Sequence, residues 1–317
     1  MIRVVGANPA MDRISTWPPL RLGNVNRAVD VSVVPGGKGF DVARAAIRLG
    51  EAATAYGFLG GHVGDALREM ITAAGVIDRH TTIAAGTRVC FIVVEPGSER
   101  TTVLNEPGPP VTEAEIDRFL DDLRADCRPD DLVILSGSLP DSVPPTVAGE
   151  IIDIGRAAGA RTLVDIHSEA LRIAFAHRPW MLKCNRKELL ELLGAPDSET
   201  AIEPADLATE MQRIRERGIE VVVVTMGAEG VLVADAEGVV HARVPEIREV
   251  NPTGSGDLLL AGLAVGVERG QRTRDAIALG ASCGTAGATH LPPELPPDFD
   301  PATWVARISL EAVTPAP

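Results

Sequence analysis

Asn251-Pro252-Thr253-Gly254-Ser255-Gly256-Asp257 runs straight into the apolar stretch Leu258 to Val267. This is a glycine-flanked turn that feeds a helix, with one carboxylate at the junction. Glycines let the backbone approach an anion closely, and the N–H groups of a helix N-terminus point at it with a favourable dipole. In one reading, Asp257 takes a proton from a hydroxyl while the N–H groups of Gly254, Ser255, Gly256 and Asp257 hold the charge that develops beside it. Phosphoryl transfer to an alcohol needs both parts. In the other reading, Asp257 caps the helix, as aspartate commonly does. The segment alone leaves both open.

A second segment has the same design. Pro35-Gly36-Gly37-Lys38-Gly39-Phe40-Asp41 leads into Val42 to Gly50, with apolar residues at Val42, Ala45, Ala46 and Leu49 on one helix face and Gly50 as the stop. Bare GG-x-G segments are common. The two together resemble the two signatures of the PfkB (ribokinase-like) carbohydrate kinases, in which glycine turns and an aspartate before a helix hold sugar and ATP.

Composition bounds the alternatives. The chain has 317 residues, 45% of them hydrophobic, which suits one large α/β domain over residues 1–317. Acidic residues number 44 against 30 basic, a net charge of −14 that disfavours a nucleic-acid partner. No apolar run approaches the ~18–20 residues that span a bilayer, and Met1 to Asn8 reads as a strand entering a turn, without the core of a signal peptide. Cys90, Cys127, Cys184 and Cys283 are scattered without metal-ligand spacing. The expectation is a cytoplasmic protein with reduced cysteines and no membrane partner.

Strand-like runs (Leu132 to Leu135, Thr162 to Asp165, Val221 to Thr225) alternate with helical ones (Thr146 to Ala158, Leu207 to Arg217). That order predicts a mostly parallel sheet with helices on both faces, with ligands beyond the carboxyl ends of the strands. Ser136-Gly137-Ser138-Leu139-Pro140, the Asp165 segment and Thr225-Met226-Gly227-Ala228-Glu229-Gly230 fall at such ends. Residues 10–34 and 86–107 break the alternation. They read as irregular or antiparallel strands, a small β-sheet lid over the site. Gly57 to Asp65 lacks dinucleotide-fingerprint spacing and is read as a structural loop, and the proline-rich Leu291 to Asp300 as a surface run.

The resemblance covers nearly the whole chain and is strongest to the phosphosugar branch, the 1-phosphofructokinase and tagatose-6-phosphate kinase group. Asn8-Pro9-Ala10-Met11-Asp12 looks like the opening of that branch, which implies that Asp12 binds sugar hydroxyls. The same resemblance puts Gly36, Gly37, Asp41 and Ser138 beside the sugar, and Arg27, Lys38 and Arg88 around its phosphate. A guanidinium fork with a compact ammonium suits such a clamp. Lys183-Cys184-Asn185-Arg186-Lys187-Glu188 is similar to the K-P-N-x-x-E segment, implying that Lys183 approaches ATP phosphates while Asn185 and Glu188 hold magnesium through water. The plain alternative is a helix start in which Asn185 and Glu188 form a capping box, and both can hold at once. Thr225, Gly227 and Gly230, with Gly254 and Gly256, correspond to the nucleotide side. No G-x-x-x-x-G-K-[ST] loop is present.

Four positions depart from the pattern. Asp41 stands where asparagine is usual, losing a donor and adding charge near the sugar; Cys184 replaces proline, Asp165-Ile166-His167-Ser168-Glu169 replaces D-S-S-x-E, and Asn251 stands where aspartate is commoner. The implied activity is transfer of the γ-phosphoryl of Mg-ATP to a ketohexose phosphate of the fructose 1-phosphate, tagatose 6-phosphate or fructose 6-phosphate type. An unphosphorylated sugar or nucleoside acceptor, and a non-catalytic sugar-phosphate sensor, are the alternatives. The lid's edge strands suggest a homodimer.

Overall fold

Short runs buried on both faces mark the strands of the main sheet, and amphipathic stripes mark most of the helices that cover it. In the computed structural model, which describes residues 1–96, 100–194, 202–290 and 292–316, the chain opens with β1 (Ile2–Val5), β2 (Ala10–Thr16), β3 (Asp30–Gly36), α1 (Lys38–Arg48), β4 (Ala53–Tyr56) and β5 (Phe58–Leu59). Next come α2 (Gly61–Ala73), β6 (Ile77–Asp78), β7 (Thr81–Thr82), β8 (Arg88–Glu95), β9 (Arg100–Asn105) and α3 (Glu113–Asp126). The alternating half follows: β10 (Leu132–Ser136), α4 (Val147–Ala157), β11 (Arg161–Asp165), α5 (Ser168–Ala176), β12 (Met181–Asn185), α6 (Arg186–Leu192), α7 (Pro204–Glu216) and β13 (Val221–Thr225). The chain closes with β14 (Val231–Asp235), β15 (Gly238–Arg243), α8 (Ser255–Glu268), α9 (Thr273–Gly287), α10 (Pro301–Val305) and β16 (Ser309–Val313).

The large sheet runs β16-β15-β14-β13-β12-β11-β10-β1-β4-β6, parallel from β6 to β13 and antiparallel beyond. Successive strand residues feed opposite cores. Ile2, Val4, Leu132, Ile134, Val221 and Val223 pack under α1, α2, α8 and α9, whereas Val5, Val133, Leu135, Val222 and Val224 pack under α3, α4, α5 and α7. The mostly parallel sheet with helices on both faces is therefore as expected. Glycines bring α8 against α9: a Cβ on Gly280 would lie 2.7 Å from the Leu259 carbonyl, and one on Gly284 2.8 Å from that of Ser255. That packing fixes where the first turn of α8 points.

A second sheet, β3-β2-β8-β9, forms the lid. Its outer pairs are antiparallel as expected, but β2 and β8 run parallel, because the chain passes through the main sheet between them. Two further readings need correction. Gly57 to Asp65 is not a loop; it supplies β5 and the first turn of α2. In the proline-rich stretch, Leu291 lies outside the described residues, and Leu295 and Phe299 join the core under α1 and α8 instead of running over the surface. Among the described residues, no helix is long and apolar enough to cross a membrane.

Candidate active site

A cavity of about 290 Å³ lies between the lid and the carboxyl ends of β1 and β10. Both glycine turns open into it, with Gly37, Lys38 and Asp41 from one side and Thr253, Gly254 and Asp257 from the other. Segments more than 200 residues apart thus meet at one place, which no local pattern encodes.

The capping reading of Asp257 fails. The N-cap of α8 is Gly254, at φ 80° in the left-handed region that favours glycine, and Asp257 is the third helical residue. A Cβ at Gly254 would also strike Pro293 at 2.4 Å. Asp257 is 5% exposed and its Oδ1 has no hydrogen-bond partner. Burial is the largest cause that pushes its pKa up to about 6; Lys38 opposes this, Asp165 adds to it and Lys183 opposes it. Of the four N–H groups in the expected anion hole, those of Ser255 and Asp257 are occupied by the Pro252 and Gly254 carbonyls. The amides of Gly254 and Gly256 have no acceptor among the described residues, so two of the four expected donors are available.

Lys38 is the first residue of α1, and its Nζ lies 3.6 Å from Asp165 Oδ2 and 3.8 Å from Asp257 Oδ1. Lys183 is buried, 2.8 Å from the same Asp165 oxygen, and a Cβ on Gly256 would be 3.4 Å from its ammonium. A row of alternating charges therefore runs Lys183, Asp165, Lys38, Asp257 beneath the α8 N-terminus. Burial by itself raises the Asp165 pKa, but the two ammoniums overcome it and hold the carboxyl below its ordinary value. Burial likewise lowers that of Lys38, and Asp165, Asp257 and Glu188 outweigh it.

On the lid side, Asp12 projects from β2 over Gly36, where an added Cβ would lie 2.0 Å from its Cγ. Burial pushes the Asp12 pKa up to about 6, opposed by Arg88 and Arg44. Arg88 is tethered, donating to the carbonyls of Asn8 at 2.8 Å and Glu106 at 3.1 Å, while its buried Nε has no partner. Asn8 Nδ2 donates to Ser138 Oγ at 3.1 Å. The expected three-cation clamp is not assembled. Arg88 borders the cavity, Lys38 is held instead by two carboxylates, and Arg27 is exposed on the connection between β2 and β3, away from the lining. Asp41 is buried against the cavity with its pKa pushed well up, first by burial and then by Asp257.

The residues expected to border a nucleotide also come together. Asn185 and Thr225 are partners across β12 and β13, and Arg186 donates to Glu229 at 2.9 Å in the Gly227–Glu229 turn. Asn185 and Glu188 form the reciprocal capping box, with Glu188 N to Asn185 Oδ1 at 2.9 Å and Asn185 N to Glu188 Oε2 at 2.8 Å. Each oxygen keeps acceptor capacity for a hydrated ion. Among the described residues no three His, Cys, Asp or Glu side chains gather to hold a metal directly, so this donor set fits magnesium that arrives on the nucleotide. Gly227 (φ 62°) and Gly230 (φ 98°) shape the turn, and a Cβ on Gly230 would strike the Ala242 carbonyl at 2.2 Å. Gly230 is thus needed for packing whether or not it touches nucleotide.

Sequence reasoning placed the Asp165 segment at a ligand-binding strand end and Asn8 in the opening motif without giving either side chain a role, and it did not single out Arg44 or His80. Asp165 was detectable as the residue ending a strand. His80 carried no signal: it reaches the cavity wall, neutral because burial lowers its pKa against the pull of Asp78, whose Oδ1 lies 2.7 Å from its Nδ1.

Against known proteins, the pfkB family carbohydrate kinases match residues 2–292. The 1-phosphofructokinase of Bacillus subtilis (strain 168) is 31% identical over 289 residues, 91% of this chain and 92% of that protein. The structure of Escherichia coli phosphofructokinase-2 in complex with fructose-6-phosphate superposes with a TM-score of 0.88 at 25% identity, covering 96% of this chain and 98% of that one. Ribokinase from Thermotoga maritima shares the fold, with a TM-score of 0.74 at 18% identity over 96% of this chain and 99% of its own.

Proposed function

Because the chain belongs to the pfkB family of carbohydrate kinases, phosphotransferases with an alcohol as acceptor, we propose that it moves the γ-phosphoryl of Mg-ATP to a hydroxyl of a ketohexose phosphate, yielding the bisphosphate and ADP. The chain is a kinase of phosphofructokinase type. Fructose 1-phosphate and fructose 6-phosphate are the acceptors that its relatives' names favour. The observation that carries the mechanism is the buried Oδ1 of Asp257, which accepts no hydrogen bond, on the wall of the cavity that Asp12 and Arg88 also line.

Asp257, ionised above about pH 6, takes the acceptor's proton as its oxygen bonds to phosphorus and the bond to ADP breaks. General-base catalysis of this kind is typically worth ~10²–10⁴-fold. The Gly254 and Gly256 amides and the Lys38 ammonium face the charge on the transferring group; loss of one such donor costs ~10²–10³-fold. Asp12 orients the sugar and Arg88 takes its phosphate, while Arg27 reaches that phosphate only when the lid moves. Closure of the lid excludes water, which would otherwise accept the phosphoryl group. Lys183, Asn185, Thr225 and Gly227 border ATP, with Asn185 and Glu188 touching magnesium through water. The ion's contribution is to neutralise phosphate charge.

The chain acts as one ribokinase-like unit, residues 1–317, with a second copy paired through the lid. Its four free, buried cysteines suit the cytoplasm.

ADP release tests the reading, measured with fructose 1-phosphate, fructose 6-phosphate, tagatose 6-phosphate and free fructose, with and without magnesium. Asp257→Asn lowers turnover ~10²–10⁴-fold and leaves ATP affinity within a few-fold; near-native turnover in that variant would refute the base. One observation favours a second reading. Only one of three expected cations borders the cavity without a carboxylate holding it, which suits an unphosphorylated acceptor, and the same panel then shows free fructose turning over fastest.

A further inference from the structure

Asp41 is the fourth residue of α1 and is 8% exposed, at a wall shared by the main cavity and a second one of about 430 Å³. Its carboxyl makes no hydrogen bond or ion pair among the described residues. The charges that face it come from four elements. Asp12 stands on β2, Asp257 on α8, Glu294 on the segment after α9, and Arg44 on its own helix. Arg44 is committed elsewhere, its Nη1 donating to the Pro35 carbonyl at 3.3 Å and its Nη2 lying 3.7 Å from Glu294. Lys38, the next nearest cation in chain order, is shared between Asp165 and Asp257. An ionised Asp41 would be a third negative charge beside Asp12 and Asp257, with no hydrogen-bond donor of its own.

Resting on the kinase reading above, we propose that Asp41 meets the acceptor as a neutral carboxylic acid and donates a hydrogen bond to a sugar hydroxyl oxygen, making acceptor affinity depend on its proton. A protonated carboxyl has one O–H to donate, which the carboxylate lacks. Burial is the largest influence favouring the neutral form, Asp257, Asp12 and Glu294 add to it, and Arg44 alone opposes. Asp41 therefore keeps the donor that an asparagine would offer, and adds no charge near the sugar phosphate. As pH rises through its pKa the donor becomes a buried anion facing the sugar oxygen, and affinity falls by up to about tenfold per pH unit if only the neutral form binds.

The test compares the native chain with Asp41→Asn, which donates an N–H at every pH, and with Asp41→Ala, which never donates. KM for fructose 1-phosphate and for fructose 6-phosphate is measured from about pH 5.5 to about pH 9.5, a span that brackets a raised carboxyl. The native KM for sugar climbs on the alkaline side, that of Asp41→Asn does not, and that of Asp41→Ala is raised throughout; KM for ATP follows none of these. The sugar's own phosphate titrates near pH 6 in all three proteins alike, so the comparison removes it. A native profile that stays flat, or one that Asp41→Asn reproduces, overturns the proposal while leaving the kinase intact. Calorimetric titration of the same two sugar phosphates gives the same readout without turnover. Absence of ADP release with preserved pH-dependent binding would sink the kinase reading and keep the Asp41 assignment, and absence of binding at every pH would sink the assignment too.

Discussion

Asp257 is unstable by design at the residue scale. A free aspartate ionises near pH 4, but in the folded chain Asp257 does so near 6 because it is buried. Between those values the folded state holds a proton that the unfolded state has released, so stability falls as pH rises from about 4 to about 6. Asn escapes that cost. Asp257→Asn should therefore be inactive yet more stable at pH 7, by of order 1–3 kcal/mol after allowing for the attraction to Lys38 that a neutral amide gives up, with the difference vanishing below about pH 4. Urea midpoints at the two pH values measure this, and a variant less stable than the native chain at pH 7 would contradict it. The residue's identity was legible because a carboxylate beside a glycine turn is a local signal. Its partners were not. Sequence spacing says nothing of whether Lys38 turns to a phosphate or to Asp165 and Asp257, and it is the fold that brings residue 165 to within 3.6 Å of residue 38.

Among elements, regular periodicity made the alternating strands and helices readable, since Leu132 to Leu135 or Val221 to Thr225 must bury both faces. The short pieces were opaque. β5 has two residues, and α2 starts on glycine without a side-chain cap, so Gly57 to Asp65 carried neither period nor start signal. The parallel β2–β8 pair was hidden for another reason, because its partners lie more than 70 residues apart. One glycine links element geometry to chemistry. Gly36 ends β3 directly beneath the Asp12 carboxyl, and a methyl group there would sit 2.0 Å from Asp12 Cγ. Gly36→Ala must displace Asp12 or the strand end, and raises the sugar KM at least tenfold, the cost of about 1.4 kcal/mol of lost orientation. KM for ATP should move less than a few-fold. Equal shifts for both substrates would mean that the strand end serves only the fold.

At the scale of the whole molecule, the two sides of the lid differ. The register places Asp12, Cys90 and Asn105 in one cross-strand row, which lines the cavity. The next row, Val33, Arg13, Phe91 and Leu104, belongs to the opposite face. Val33 is 41% exposed, Phe91 39% and Leu104 54%, three apolar side chains open to water around Arg13, on a sheet whose outer strands β3 and β9 each have only one strand neighbour among the described residues. Such a surface is costly alone and is covered if two lids meet. The proposed dimer would also restrain the lid over the acceptor, coupling assembly to sugar affinity and not to nucleotide affinity, since Lys183, Asn185 and Thr225, proposed to border ATP, sit on β12 and β13 of the main sheet. Phe91→Glu combined with Leu104→Glu places like charges across that face. Light scattering should then show the native chain at twice the mass of the variant, and kinetics a sugar KM raised several-fold with KM for ATP nearly unchanged. A native chain that is monomeric at micromolar concentration, or a monomeric variant that keeps its sugar KM, would leave the lid as a cover belonging to one copy.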